Sequence, residues 1–276
     1  MPKYLSKYIL LNSLPLAAAG VLTSSLATAQ TTVFDDDFTG AFDTIDPAWN
    51  APSYVRQNGG GQLVARKGGT GQANSTSYLD YTLSSGNLYE LSVDIVGDTT
   101  NSDTSQYGGF GFFSEVTSLF SPYHQQDGGS PTGAWMFIRT QNTDANEGDM
   151  SLRPLGGGST GASTIDSSFD VTVSRNYKLV LNTSDTDAAA GTQFSLGLYV
   201  DDVQYGSTYI FSDVESAALL TNVVGVGLTA QVADGGPNII YDNFKLTTTV
   251  IPEPGTFALL SGLTMLTAVA IRRRRS

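Results

Sequence analysis

Apolar residues in this chain recur in short runs that either alternate with polar residues or continue through a whole segment. The runs are rich in β-branched and aromatic side chains, which is typical of β-strands. Six segments show this pattern and predict strands: residues 88–96, 133–140, 177–183, 194–202, 223–232 and 239–247. In the first segment, we expect the odd-numbered positions from Leu91 to Ile95 to face a core and the even-numbered positions from Glu90 to Asp94 to face water.

Clusters of Gly, Asn, Asp and Ser separate these runs and predict turns and loops. They read "RQNGGGQ", "GDTTNSDTSQYGG", "QNTDANEGD", "GGGSTGAST" and "DTDAAAG". Only "DVESAALLTN", residues 213–222, has a helix-like pattern. Many short strands, glycine-rich turns and little helix predict an all-β fold, a jelly-roll β-sandwich. No repeat period is visible, so we do not expect a propeller or a solenoid.

The C-terminal stretch "VIPEPGTFALLSGLTMLTAVAIRRRRS" combines a Pro-Glu-Pro triplet, an uncharged apolar run and four arginines. As a helix rising about 1.5 Å per residue, the run 256–271 would span roughly 24 Å, slightly less than a bilayer usually needs. Gly255 and the long stems of the arginines can supply the missing length. We therefore expect a membrane helix with Arg272 to Arg275 on the cytoplasmic side. The alternative is a buried C-terminal helix of a soluble domain.

The N-terminal stretch has the three parts of a secretory signal peptide. Lys3 and Lys7 give it a basic start, an apolar stretch follows, and the small residues "ATA" precede Gln30. Cleavage is expected between Ala29 and Gln30. The chain then divides into a signal peptide at 1–29, a β-sandwich domain at 30–246, a linker at 247–251 and a C-terminal segment at 252–276.

The order Pro252-Glu253-Pro254, apolar helix and terminal arginine cluster resembles the PEP-CTERM sorting signal of bacterial exported proteins. The resemblance covers about the last 25 residues. It implies processing by a membrane-embedded exosortase, which recognises Pro-Glu-Pro and cuts near it. The expected partners are therefore the secretion machinery and an exosortase, with transient anchoring in the inner membrane. The expected destination is the outer surface or the extracellular matrix.

The charge of the remaining domain limits its partners. Residues 30–250 contain 25 acidic and 8 basic residues, a net charge of −17. Such a surface repels nucleic acid and anionic lipid, so we expect neither as a partner. Cations and neutral polysaccharide remain compatible with it. The chain has no cysteine, so the exported domain would be stabilised by its core without disulfides.

Several landmarks of the domain resemble those of the concanavalin A-like lectin/glucanase fold. They are "DDDFTGAFDTIDPAWN" near the mature start, "GGGQLVARKGG" after it, "YELSVDIVGD" in the middle and "IIYDNFKLT" at the end. The resemblance implies a sandwich in which the first and last strands lie side by side and a concave face often holds glycans. A jelly roll of another lineage is the alternative.

The sequence does not show the catalytic residues of the hydrolases with this fold. Those enzymes place their carboxylates on one strand as Glu-x-Asp-x-x-Glu, so that two glutamates reach the cleft. Here Glu90, Asp94 and Asp98 share one strand face but contain no glutamate pair. His124 is the chain's single histidine, which disfavours a zinc site or a histidine-based triad. We therefore expect no catalytic residues.

A structural Ca²⁺ is the cofactor that the sequence favours, because hard cations prefer carboxylate and carbonyl oxygens. In the resembled fold, calcium commonly joins an aspartate of the last strand to carbonyls near the first strand. This implies Asp242 as a ligand, with carbonyls near Asp37 or Gly61. The alternatives are a solvated acidic strand start at residues 35–37 and a turn or edge pair at Asp242 and Asn243.

Aromatic residues are the candidates for carbohydrate binding, because sugar rings stack on aromatic faces while polar side chains bind the hydroxyls. The candidate ligand-binding residues are Tyr123, Gln125 and Asp127 in one loop. Tyr107 and Trp135 are further candidates, although Trp135 also fits a core position. Trp49 is expected to close the edge of the sandwich.

Together these features predict an exported, non-catalytic surface or matrix protein that binds exopolysaccharide and is sorted by an exosortase. A polysaccharide-active glycoside hydrolase of the same fold is the alternative.

Overall fold

The computed structural model describes residues 29–39, 49–50, 55–58, 61–65, 73–97, 106–113, 133–140, 147–153, 163–184, 193–232, 239–251 and 266. The first strands in these ranges are β1 (Gln30–Asp36), β2 (Val55–Asn58), β3 (Gln62–Ala65), β4 (Ala73–Asp80), β5 (Asn87–Gly97), β6 (Gln106–Phe113) and β7 (Ala134–Thr140). The remaining elements are β8 (Glu147–Arg153), β9 (Ser163–Asp170), β10 (Arg175–Asn182), β11 (Ser195–Val200), β12 (Val203–Ile210), α1 (Asp213–Asn222), β13 (Gly225–Val232) and β14 (Ile239–Val250).

These strands form two antiparallel sheets. The eight-stranded sheet has the order β12-β11-β10-β5-β14-β3-β2, and β1 also pairs with β14. The six-stranded sheet has the order β4-β13-β6-β7-β8-β9. The first strand therefore lies beside the last one, as the resemblance implied.

The main core lies between the two sheets and follows from alternation along the strands. In β5, Leu91, Val93 and Ile95 are fully buried, whereas the residues between them are partly exposed. The prediction that this face of β5 packs in the core is therefore confirmed. Side chains of the six-stranded sheet such as Phe110 and Met136 belong to the same core cluster. Burial at about 25 cal/mol per Å² of apolar surface is the main stabilising contribution of such a core.

A buried tyrosine ties the two sheets together. Tyr241 of β14 is fully buried, and its hydroxyl donates to the carbonyl of Thr229 at 2.7 Å. The same hydroxyl accepts from the amide of Gly109 at 3.2 Å. Thr229 and Gly109 are opposed in the β13–β6 ladder. Gly108 allows this approach, since a Cβ there would lie 2.8 Å from the tyrosine oxygen.

Helix α1 has the bounds that the sequence predicted, and its start is fixed by a capping box. The Ser212 hydroxyl accepts from the amide of Glu215 at 3.4 Å, and the Glu215 carboxylate accepts from the amide of Ser212 at 2.7 Å. This reciprocal pair satisfies two of the donors that a helix start leaves open.

All six predicted strands are present, with ends shifted by at most three residues, whereas parts of other strands were predicted as loops. "QYGG" was assigned to a loop but begins β6, "RQN" belongs to β2, and residues 147–149 belong to β8. Glycine and polar residues favour turns, but they also occur within strands that are paired with neighbouring strands. Strand β14 continues to Val250, so the domain end expected at residue 246 and most of the linker expected at 247–251 lie within this strand.

The predicted sorting motif at Pro252, Glu253 and Pro254 lies outside the described residues, as do the arginines and most of the signal peptide. Ala29 and Gln30 are described, and Gln30 begins β1. Among the described residues, no helix has the length and apolar character needed to cross a membrane.

Candidate functional site

The six-stranded sheet carries a second buried cluster on its outer face, the face turned away from the other sheet. This outer aromatic cluster consists of Tyr107, Phe113, Trp135 and Phe137. Its members alternate along β6 and β7 with residues of the main core, which places them on the opposite face. The ring centroids of Tyr107 and Phe137 are 5.7 Å apart, and those of Trp135 and Phe137 are 5.9 Å apart. The Arg139 guanidinium lies 5.6 Å from the centre of the Tyr107 ring.

Glycines bring the strands of this face close together. Gly109 lies opposite Phe137, and Gly111 lies opposite Trp135. A Cβ on Gly109 would clash with the Met136 carbonyl oxygen, and one on Gly111 would clash with the Cβ of Trp135. Only glycine fits at these two positions, so β6 approaches the aromatic strand β7 this closely because it lacks side chains there.

Tyr107 and Trp135, two of the carbohydrate-binding candidates from the sequence, lie in the same cluster. They are buried there and do not form an exposed stacking surface. Tyr107 lies in a strand and is 4% exposed, and Trp135 is 1% exposed. Both are therefore packed side chains, and the core interpretation of Trp135 is closer to what is observed than an open stacking platform. The expected ligand-binding residues Tyr123, Gln125 and Asp127, with His124, lie outside the described residues.

The position of that undescribed segment is still informative. Residues 114–132 connect β6 to β7, the two strands that carry the outer aromatic cluster. The connection leaves β6 directly after Phe113 and returns one residue before Ala134, next to Trp135. In the sequence, the candidate residues Tyr123 to Asp127 therefore lie between the two strands that carry the cluster.

Trp49 packs as expected at the junction of the first and last strands. Its ring centroid lies 4.9 Å from that of Phe244 in β14 and 5.8 Å from that of Phe38 after β1. Its indole Nε1 donates to the Asp36 carboxylate at 2.7 Å. One carboxylate of the acidic strand start thus has a structural partner.

Acidic side chains meet beside this junction, around a β-bulge in β14. Asp242 is opposed to Asp94 in the ladder, and the register shifts between Asp242 and Lys245. Asn243, within the bulge, adopts a positive φ of 52° and donates its side-chain amide to Asp94 at 2.8 Å. The backbone amide of Asn243 donates to Asp242 at 2.8 Å. The bulge therefore turns two carboxylates and an amide toward one another.

The charges around Asp242 oppose its ionisation. Burial raises the pKa of the Asp242 carboxyl, and the negative charges of Asp94 and Asp37 raise it further, against hydrogen bonds from Asn243 and Gln62. Hydrogen bonds from the Thr39 hydroxyl and amide lower the pKa of Asp37 instead. Like charges that are held near each other favour protonation of one of them or the approach of a cation.

The residues expected to hold calcium are therefore near one another. Asp37 acts electrostatically on Asp242, and a Cβ on Gly61, which has a φ of 77°, would lie 3.7 Å from the Asp37 carbonyl oxygen. However, the described residues contain no group of three or more His, Cys, Asp or Glu side chains that could hold a metal ion. Carbonyl oxygens would have to supply the other ligands, which Ca²⁺ accepts. Calcium at this position stays a prediction.

The carboxylates of Glu90 and Asp94 in β5 accept hydrogen bonds from side-chain amides. The Asp94 carboxylate also accepts from the Asn176 amide at 2.8 Å, and Glu90 accepts from the Gln30 amide at 2.6 Å. Both lie on the outer face of the eight-stranded sheet, and Asp98 lies outside the described residues. These contacts fit the interpretation of the segment as a half-buried strand.

No protein-family model matches the sequence, and no curated protein matches it. Solved structures do match the fold. A lectin from Bauhinia forficata, in complex with GalNAc, is 12% identical with a TM-score of 0.50, over 80% of this chain and 98% of the lectin. An endo-1,3-beta-glucanase from Streptomyces sioyaensis is 16% identical with a TM-score of 0.49, over 81% of this chain and 97% of the glucanase.

The two antiparallel sheets and this likeness show a concanavalin A-like lectin/glucanase jelly roll. At such low identity, the likeness shows the fold alone. Proteins of one fold carry different functions, so the site of this chain has to be argued from its own residues.

Proposed function

We propose that this chain is an exported, non-catalytic protein of the cell surface or extracellular matrix that binds a neutral polysaccharide. The observation that carries the proposal is the outer aromatic cluster with Arg139 beside Tyr107. The binding surface comprises the edge of this cluster and the connection 114–132, with Tyr123 stacking on a sugar ring and Gln125 and Asp127 binding its hydroxyls. The net charge of −17 over residues 30–250 supports a neutral rather than an anionic glycan.

The proposal includes the route to the surface. The signal peptide is removed before Gln30, the run 256–271 holds the precursor in the inner membrane, and an exosortase cuts near Glu253. The sequence pattern of the two ends supports these steps. Calcium bound near Asp242 would stabilise the junction of the first and last strands.

The test uses the purified domain of residues 30–250 on a glycan array, followed by calorimetry with each glycan that binds. Replacing Tyr123 with alanine removes one stacking contact, worth about 0.5–1.5 kcal/mol, and should weaken binding roughly 2- to 13-fold. Arg139→Ala should also weaken binding.

Lys178→Ala is the matched control, because Lys178 lies 5.7 Å from the centre of the Tyr199 ring in a similar cation–aromatic pair. That pair belongs to the eight-stranded sheet, away from the proposed surface. The control should bind like the wild type. Loss of binding in all three variants, or in none, would contradict the assignment of the surface. Release of reducing sugars from a bound polysaccharide would establish the hydrolase alternative instead.

A further inference from the structure

The start of β1 and the end of β14 lie side by side at one end of the strands of the eight-stranded sheet. Gln30, which begins β1, is opposed to Thr249 near the end of β14. The amide of Ile251, one residue after β14, donates to the carbonyl of Gly86 at 2.8 Å. The chain is thus hydrogen-bonded to the fold up to the residue before Pro252.

We propose that, in the membrane-anchored precursor, this end of the sandwich faces the bilayer and contacts its headgroup region. The inference rests on the proposed anchoring by residues 256–271. We call the surface the terminal end. Its residues form one row across the sheet, in the order Gln30, Thr249, Leu88, Asn182, Ser195 and Ile210.

The length of the tether gives the first argument. Only residues 252–255 separate Ile251, fixed by its hydrogen bond, from the apolar run. Four residues span at most about 14 Å when fully extended. Two of the four are prolines, which restrict the backbone further. A tether of this length does not allow the sandwich to rotate until its opposite end faces the bilayer, so the terminal end stays next to the membrane surface.

The chemistry of the terminal end gives the second argument. The row across the sheet contains no charged residue. Exposed apolar side chains stand at this end, with Val250 64% exposed, Ile210 52% and Val214 80%. The opposite end carries the Asp201–Asp202 turn, where Asp202 pairs with Lys178 at 2.6 Å. The uncharged row and these apolar side chains would contact the headgroups, whereas Asp213 and Glu215 in the first turn of α1 place two carboxylates beside Val214 and favour a zwitterionic over an anionic bilayer.

Strand β12 offers a matched pair of positions for a test. Ile210 lies at the terminal end, and Val203, which is 62% exposed, lies at the opposite end of the same strand. Seven residue steps at about 3.3 Å place the two positions roughly 20 Å apart. The chain has no cysteine, so Ile210→Cys and Val203→Cys each give a single labelling site in the full chain.

The chain of residues 30–276, labelled with a thiol-reactive fluorophore, is reconstituted in phosphatidylcholine vesicles that carry a headgroup quencher. Flotation of the chain with the vesicles is measured separately. We expect flotation, and at least about twofold stronger quenching of the label at Ile210 than at Val203, because the two positions stand roughly 20 Å apart along β12 and only Ile210 belongs to the terminal end. Equal quenching at both positions, or stronger quenching at Val203, with normal flotation would overturn the orientation alone. Absence of flotation would overturn the proposed anchoring and this inference with it.

Discussion

The hydroxyl of Tyr241 offers the sharpest test of how the two sheets are held together. Replacing Tyr241 with phenylalanine removes one oxygen and keeps the ring, so the packing of the core is preserved. The two lost hydrogen bonds join the hydroxyl to the Thr229 carbonyl at 2.7 Å and to the Gly109 amide at 3.2 Å. Because burial raises the pKa of this hydroxyl far above its ordinary value, it stays protonated and remains a donor at every physiological pH.

Each buried hydrogen bond contributes about 0.5–1.5 kcal/mol net, and an unsatisfied buried partner costs about 1–3 kcal/mol. Thr229 and Gly109 lie opposite each other in the β13–β6 ladder, so both lost hydrogen bonds join Tyr241 to the backbone of the other sheet. We therefore expect Tyr241→Phe to lower the free energy of unfolding by about 2 kcal/mol. For a domain of this size, the melting temperature should fall by about 4–8 °C.

Tyr89→Phe is the matched control, since Tyr89 is also buried and its hydroxyl also makes two hydrogen bonds. Both of its partners belong to Ser84, an exposed residue at the end of the sheet, where water can replace the lost oxygen. We expect a loss below about 1 kcal/mol. The measurement is urea unfolding of the domain of residues 30–250. A Tyr241→Phe variant within about 0.5 kcal/mol of the wild type, the usual range of neutral substitutions, would refute the proposed role of the hydroxyl.

Further outcomes are expected. The pKa of the Asp242 carboxyl is raised in the folded state, so its contribution to stability is present below the pKa of the unfolded chain and is lost as the pH rises through the folded-state pKa. Asp242→Asn should therefore raise the melting temperature at pH 7 without calcium, and this increase should vanish near pH 3. The melting temperature of the wild type should respond more to calcium than that of the variant. Gly109→Ala should destabilise by about 1–3 kcal/mol or prevent folding, whereas Gly86→Ala, in open space at a φ of 77°, should cost only about 1–2 kcal/mol, both measured by urea unfolding. N-terminal sequencing of the exported protein should begin at Gln30. Replacing Pro-Glu-Pro, with Glu253 at its centre, by alanines should leave a membrane-bound precursor on immunoblots, and unchanged release would contradict exosortase processing.

The sequence predicted four of the eight strands of the larger sheet, β5, β10, β11 and β14, because the outer face of this sheet is polar. Strands β5 and β10 alternate between buried and partly exposed positions, so their period of two is visible in the sequence. Helix α1 was also predictable from its local sequence, because Ser212 and Glu215 stand at the spacing of a capping box. Strand β12 was missed because hardly any of its residues are buried and its alternation is weak.

The candidate site was harder to predict because the six-stranded sheet has apolar residues on both faces. In "AWMFIRT" of β7, Met136 belongs to the main core and Trp135 to the outer aromatic cluster, yet both are apolar. A continuous apolar run cannot show which side chain faces which way. In β6, a Cβ on Gly109 or Gly111 would clash with backbone and Cβ atoms of β7. Glycine in a sequence, however, indicates a turn more often than such a close approach. A strand that is apolar on both faces in an acidic domain, beside a glycine-rich neighbour, is the signal that could have located the outer aromatic cluster. Such a strand indicates an outer face that is either buried by other parts of the chain or available for binding. The segment containing Tyr123 connects the two strands that form this face.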